Sequence, residues 1–286
     1  MPRQSAKVVK LEDPEKSQVS GALARGLAIL DVLVDTPQSL SLAEVAKRAS
    51  LDLSTTMRLL RTLEEARYVL RVDNGKRYIG SPRATLPLPI LHPLRQFCRE
   101  AFPNLSELSA SVKATVVLVA FIEHERMAID IAQVSGSLAP YYRTWLDGPL
   151  HASGSGKALL ATLPASRREA LIGRGPYPAI TEFSITDPAK LTDDIEKGTE
   201  RGYYVARDEH IVGLTAISAN IPTWQGVNVG CFVMTGHTRD CTEAHTATAG
   251  AQLQRAAQLF RHQVPSISAF SQYVGSASGR GEGGRG

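Results

Sequence analysis

A chain of 286 residues, 43% hydrophobic and 21% charged, can bury a sizeable core and is longer than one typical small domain, so two domains are expected. The net charge of +4 does not by itself indicate a nucleic-acid partner, but residues 1–85 hold 14 Lys and Arg against 10 Asp and Glu, so the whole basic excess lies in the N-terminal part. Cys98, Cys231 and Cys241 form no CxxC pair, which argues against a disulfide framework or a structural zinc, and the longest apolar run, Ala114 to Ile122, is far short of the roughly 20 residues of a membrane span.

In chain order, residues 1–19 are polar, carry both signs of charge and lack the apolar core of a signal peptide, so a disordered arm is expected. Residues 20–82 form the first domain. Leu23, Leu27, Leu30 and Val34 recur at helical spacing, which predicts a helix over Gly21 to Val34. The run Asp35-Thr36-Pro37 stops it. Ser41, three residues before Glu44, forms a capping box that opens a short helix ending near Ala49. Asp52 then caps a third helix to about Ala66, with Met57, Leu60 and Leu63 inward and Ser54, Thr55, Arg58 and Arg61 outward. Finally, Asn74-Gly75 joins the strand-like runs Tyr68 to Val72 and Arg77 to Ile79 as a hairpin. Three helices and a hairpin describe a winged helix-turn-helix.

The prolines Pro82, Pro87, Pro89 and Pro93 mark an interdomain linker over 83–97. Helical periodicity resumes over Leu94 to Ser111, leading into a second domain at 98–265. There, strand-like runs (Thr115 to Ile122, Ala128 to Val134, Leu214 to Ile221, Val227 to Met234) alternate with helical ones (Gly156 to Leu163, Lys190 to Gly202, Thr242 to Gln263), the pattern of an α+β domain. Residues 266–286 end in a Gly-, Ser- and Arg-rich stretch and are expected to be a flexible tail.

A short helix, a tight break and a second helix with a polar start is the arrangement that places a recognition helix in the major groove of double-stranded DNA. The hydroxyls of Ser54, Thr55 and Thr56 suit phosphates or base edges, Arg58 suits bidentate recognition of guanine, and Arg61 suits a phosphate. Lys76 and Arg77 in the hairpin are placed for backbone or minor-groove contact. The alternative is that Arg58 and Arg61 solvate an exposed face and pair with Glu64 or Glu65.

The stretches Arg25-Gly26-Leu27-Ala28-Ile29-Leu30-Asp31, Leu42-Ala43-Glu44-Val45-Ala46 and Arg58-Leu59-Leu60-Arg61-Thr62-Leu63-Glu64-Glu65 resemble the IclR family of bacterial transcriptional regulators. So do Pro149-Leu150-His151-Ala152-Ser153-Gly154-Ser155-Gly156-Lys157-Ala158-Leu159-Leu160-Ala161 and the later Arg201-Gly202-Tyr203, Asp208-Glu209 and Gly213. The resemblance implies a GAF-like α+β effector domain and a homodimer or dimer of dimers acting on a catabolic operon. It also adds Arg25 to the DNA-binding set. It implies an effector pocket lined by Leu138, Pro140, Tyr142, Ala216, Cys231, Val233 and Thr235, in which Gly154 and Ser155 at a helix start would accept a carboxylate, on a small acid with an apolar or aromatic body. Ala206 stands where family members can carry a ligand-facing acid, and the proline-rich linker replaces the usual helical connection.

Enzymatic readings fit less well. The run Ser153 to Lys157 lacks the Gly and Ser/Thr of a phosphate loop and the flanking glycines of a nucleophile elbow. The histidines show no metal-ligand spacing, and His151 reads either as a loop-fixing hydrogen bond or as a ligand contact. No catalytic residue, metal or cofactor is therefore expected, nor any membrane association, and the setting is expected to be cytoplasmic. A winged helix used only for protein association is the remaining alternative.

Overall fold

The computed structural model describes residues 21–36, 38–85, 92–138 and 146–278. The expected N-terminal arm, residues 86–91 of the linker, Pro140, Tyr142 and the last eight residues lie outside them. The chain divides into two compact units, Met1–Leu88 and Pro89–Gly286.

In the first unit, α1 (Ala22–Val34), α2 (Leu42–Ala49) and α3 (Leu53–Glu65) accompany a three-stranded antiparallel sheet of order β1 (Leu40–Ser41), β3 (Arg77–Gly80), β2 (Val69–Val72), and α4 (Pro82–Thr85) follows. The capping box opening α2 is complete: the Ser41 hydroxyl accepts from Glu44 N–H, and Glu44 Oε2 accepts from Ser41 N–H at 2.7 Å. Helical period was legible in α1, but its inward face was not. Gly26, Ile29 and Leu33 are buried, whereas Leu23, Leu27 and Val34 are 78%, 53% and 42% exposed. Met57 likewise faces outward, whereas Leu60 packs beneath α3 as expected, joined by Leu59.

The second unit is built on a five-stranded antiparallel sheet of order β5 (Glu125–Ala132), β4 (Thr115–Ile122), β8 (Asn228–His237), β7 (Leu214–Pro222), β6 (Tyr204–Arg207). Its fold class is α+β, as expected. One face carries Val116, Leu118, Ile217, Ala219, Phe232 and Met234 against α5 (Pro93–Val112), α9 (Glu243–Gln263) and α10 (Ile267–Ser278). The opposite face carries Val117, Val119, Cys231 and Val233 against α6 (Gly154–Ala161) and α8 (Pro188–Arg201); α7 (Ala165–Ile172) lies between these helices in the chain. Burial on both faces explains why β4 reads as an almost unbroken apolar run.

Two boundaries differ from expectation. Pro93 does not extend a linker to residue 97: it occupies the first position of α5, where its missing N–H costs nothing, and His92 Nδ1 accepts from Leu94 N–H at 3.2 Å. Phe97 is accordingly a core residue. Nor is 266–278 a flexible tail, because α10 buries Ile267, Phe270 and Val274, with the Phe270 ring stacked on Phe97 at 4.2 Å. Phe270→Ala should therefore destabilise the second unit by about 3–5 kcal/mol, the usual cost of emptying a buried aromatic site. Denaturant unfolding would measure it, and a midpoint unchanged from the wild type would contradict the packing described.

Candidate functional site

The candidate nucleic-acid interface is the exposed face of α3. Asp52 anchors its start, with Oδ1 accepting from Thr55 N–H at 2.8 Å and from the Ser54 hydroxyl at 2.7 Å. These donors, the Thr55 N–H foremost, hold the Asp52 carboxyl well below the usual carboxylate range. Because the native value is depressed, the cap is at full strength above the ordinary carboxylate pKa of about 4 and weakens as pH falls toward the native value. Asp52→Asn keeps an oxygen cap without the ionisation. Protection against amide exchange over 53–65, taken relative to the intrinsic rate at each pH, should thus fall on acidification more in the wild type than in Asp52→Asn; equal loss of protection would contradict the cap's role.

From this anchored start, Arg58 projects into solvent and its guanidinium has no partner among the described residues. Arg61 pairs with Glu65 at 3.1 Å, both side chains exposed, an arrangement worth little and easily exchanged for a phosphate. Lys76 is exposed in the hairpin turn, where Asp73 and Asn74 adopt positive φ of 50°. Arg25 is half-buried on α1, and its Nε–H finds no acceptor among the described residues.

Two of the expected DNA contacts are spent internally. Thr56 is fully buried and its hydroxyl donates to Asp52 O at 2.8 Å, because this position of α3 turns toward the core with Leu59 and Leu60. Arg77 donates to Ser39 O and Oγ and pairs with Glu44 at 3.1 Å, bracing β3 against the start of α2. Conversely, Leu53 and Met57, 55% and 53% exposed, share the outward side of α3. Sequence periodicity counts such residues as core, so only the structure reveals them.

In the second unit the loop before α6 meets the inner sheet face. Gly154 lies directly on β7: a Cβ there would stand 3.2 Å from Ala216 Cβ, and Gly154 O accepts from the Ser218 hydroxyl at 2.8 Å. Gly156 is still more confined, since a Cβ would fall 2.2 Å from Leu150 O. Strand pairing sets Ala206, Ala216 and Thr235 in one cross-strand row, with Val233 and Cys231 further along the same face of β8. Gly154, Ser155, Cys231, Val233 and Thr235 are all buried and Ala216 is partly so. Leu138 and Thr235 also border a cleft of about 380 Å³ with Lys113, Met234, His237 and His245, whose walls include none of Gly154, Ser155, Ala216, Cys231 or Val233.

Polar groups behind the loop explain its rigidity. Lys157, fully buried, pairs with Glu209 at 2.6 Å and Asp194 at 2.8 Å and donates to Val205 O at 3.0 Å. Burial pushes the Glu209 carboxyl up, an effect that Lys157 opposes. His151 Nε2 lies 2.9 Å from Pro178 O and its ring stacks on Tyr177, so it fixes the loop. Asp208 Oδ1 accepts from Gly213 N–H and the Thr238 hydroxyl, each at 2.7 Å, closing the turn between β6 and β7. Sequence reading quoted Lys157, Asp208 and Glu209 without assigning them roles. Arg126, buried beside Ser153 and Ser155, was missed altogether, because a lone arginine in a strand carries no recognisable spacing.

Residues 95–261 match the family described as bacterial transcriptional regulator IclR C-terminal, and residues 22–73 match the IclR helix-turn-helix domain. The chain is 29% identical over 248 residues to the transcriptional repressor IclR of Escherichia coli K12, covering 86% of this chain and 90% of the relative. Among solved structures, Thermotoga maritima IclR superimposes with a TM-score of 0.71 at 25% identity, over 85% of this chain and 98% of that one. An IclR homologue from Microbacterium hydrocarbonoxydans, crystallised with 4-hydroxybenzoate, shares the fold at a TM-score of 0.68 and 22% identity, over 86% of this chain and 100% of that one.

Proposed function

The chain belongs to the IclR family of bacterial transcriptional regulators, and on that premise we propose that α3 reads a double-stranded operator while the second unit binds a small carboxylic acid that controls the reading. The observation that carries the DNA half is Arg58, an exposed guanidinium with no partner among the described residues, on a helix whose start is fixed by Asp52. Its donor fork suits guanine O6 and N7. Ser54, Thr55, Arg61 and Lys76 flank it for phosphates, and Leu53 and Met57 offer apolar contact to thymine methyl groups. Repression of a catabolic operon is the regulatory outcome this reading favours, in line with the repressor named above. The setting is the cytoplasm; among the described residues no helix is long and apolar enough to cross a membrane.

The outward apolar stripe of α1, Leu23, Leu27 and Val34, supports a homodimer or dimer of dimers, since a water-soluble unit gains by covering such a stripe. A dimer would carry two α3 helices to half-sites about one turn of DNA apart. Selection from a random duplex pool tests the reading. It should recover a two-half-site motif whose affinity falls steeply with salt and exceeds that for scrambled duplex by ~10³ or more. Recovery of no motif would favour a winged helix used for protein association.

The small acid is supported by the loop before α6. Gly154, Ser155 and Gly156 are buried at a helix start to which Ser153 gives no side-chain cap, leaving first-turn N–H groups that favour an anion. An acid with an apolar body also suits Cys231, Val233 and Ala216. This set, together with Thr235, Leu138, Pro140 and Tyr142, is the proposed pocket lining.

A further inference from the structure

Among the described residues two cations, Lys157 and Arg126, are buried on the α6 side of the sheet, and only Lys157 has a carboxylate within ion-pair distance. Lys157 has two carboxylates within 2.8 Å. Arg126, on β5 and 3% exposed, has only neutral acceptors: Nη1 donates to the Ser153 and Ser155 hydroxyls at 2.7 and 3.0 Å, and Nη2 to Leu146 O at 2.9 Å and to Gly148 O. Among the described residues no carboxylate lies within ion-pair distance of it; Glu125 and Asp147 act on it only at longer range.

The position compounds the imbalance. Strand register places Arg126 opposite Phe121 on the face that bears Cys231 and Val233, and its two serine contacts put the guanidinium against the first turn of α6. That is the positive end of the helix, where a cation is disfavoured and an anion favoured. Burying a charge without a counter-charge is among the costliest arrangements in a protein interior.

A third donor converges there. Ser155 is 6% exposed; its oxygen accepts from Arg126, and its own hydrogen has no acceptor among the described residues. Ser153 differs, because its hydroxyl already donates to Pro149 O at 2.8 Å. A guanidinium, an uncommitted hydroxyl hydrogen and an uncapped helix start all lack the same thing, an anionic acceptor.

We propose that Arg126 and Ser155 form the charge-recognition point of the effector site, where the carboxylate of a monocarboxylic acid pairs with the guanidinium and accepts from the Ser155 hydroxyl. The assignment rests on the reading of this unit as an effector-binding domain and names the residues that select acid over neutral ligand. It also supplies a route for the signal. Arg126 ties Leu146 and Gly148 to Ser153 and Ser155, the two ends of the segment leading into α6, so a carboxylate that takes over part of its hydrogen bonding alters the tether.

The test compares acids with their neutral amides on the full chain at constant ionic strength, by thermal shift and calorimetry. Acetate against acetamide and benzoate against benzamide are the probes. The wild type should be stabilised by at least one acid and not by its amide. Ser155→Ala and Arg126→Gln should each weaken that acid roughly 10- to 100-fold, the loss of a hydrogen bond to a charged group. Arg126→Lys should retain the preference for acid over amide. If Arg126→Gln does not fold, Ser155→Ala and Arg126→Lys carry the test.

Acid binding unchanged in Ser155→Ala and Arg126→Gln, or loss of the preference for acid in Arg126→Lys, overturns the assignment while leaving a small-acid effector in place. Equal response to acid and amide overturns the charge selection itself. No response of the wild type to either acid overturns the assignment and the carboxylate reading together, leaving operator binding to be judged by its own selection experiment.

Discussion

Replacing Arg58 by alanine is expected to weaken binding to the selected operator by about 1–3 kcal/mol and to relax selectivity at one base pair per half-site. The fold should be untouched, because the guanidinium has no partner among the described residues and its helix is held by Leu59, Leu60 and the Asp52 cap. This separates Arg58 from Arg77, whose loss would also release Ser39 and Glu44. Arg61→Ala provides the contrast. As a phosphate contact it should lower affinity for operator and scrambled duplex alike and reduce the salt dependence. Competition binding against single-base operator variants would show the difference. Unchanged operator affinity and selectivity in Arg58→Ala would remove α3 from the recognition role.

The second large effect is on stability. Lys157→Met should destabilise the second unit by about 3–5 kcal/mol, since it leaves Glu209 and Asp194 facing one another behind α6 without their shared cation. The pH dependence gives the mechanism. Burial already raises the Glu209 carboxyl against the pull of Lys157, and removing Lys157 raises it further. A carboxyl raised in the native state favours folding when protonated, so the variant should be most stable below the ordinary carboxylate range and lose stability as pH rises through the native value. Adding Glu209→Gln should recover much of the loss near neutral pH. Denaturant unfolding at several pH values would report both effects, and a variant equally stable across the range would contradict the buried ion cluster.

What sequence made legible here follows physical lines. The Ser41–Glu44 capping box, the Asp52 cap and the Asn74-Gly75 turn are local chemistry, and each stands where it was expected. The facing of α1 was not local. Leu23, Leu27 and Val34 form as good a helical stripe as Gly26, Ile29 and Leu33, and only the packing of α2 and α3 decides between them. α10 escaped notice because its buried residues, Ile267, Phe270 and Val274, are surrounded by Ser and Gly that read as a tail.

The candidate sites divide the same way. Arg58 is exposed where helical period places it, and Gly154 and Ser155 entered as candidates through the family resemblance, whereas Thr56 and Arg77 were misread because side-chain direction and a partner 38 residues away are tertiary facts. Arg126 and Lys157 differ only in what surrounds them. One has two carboxylates within 2.8 Å, and the other has none within ion-pair distance among the described residues.

If acid binding in one unit controls operator reading in the other, as proposed, linkage makes the coupling measurable in both directions. Operator affinity of the full chain should be measured with and without the acid that stabilises it, and acid affinity with and without operator. Each ligand should change the other's Kd by the same factor, roughly 5- to 150-fold, and Ser155→Ala should shift the acid concentration needed without changing affinity for operator in its absence. An acid that binds free and operator-bound protein with equal affinity would contradict it.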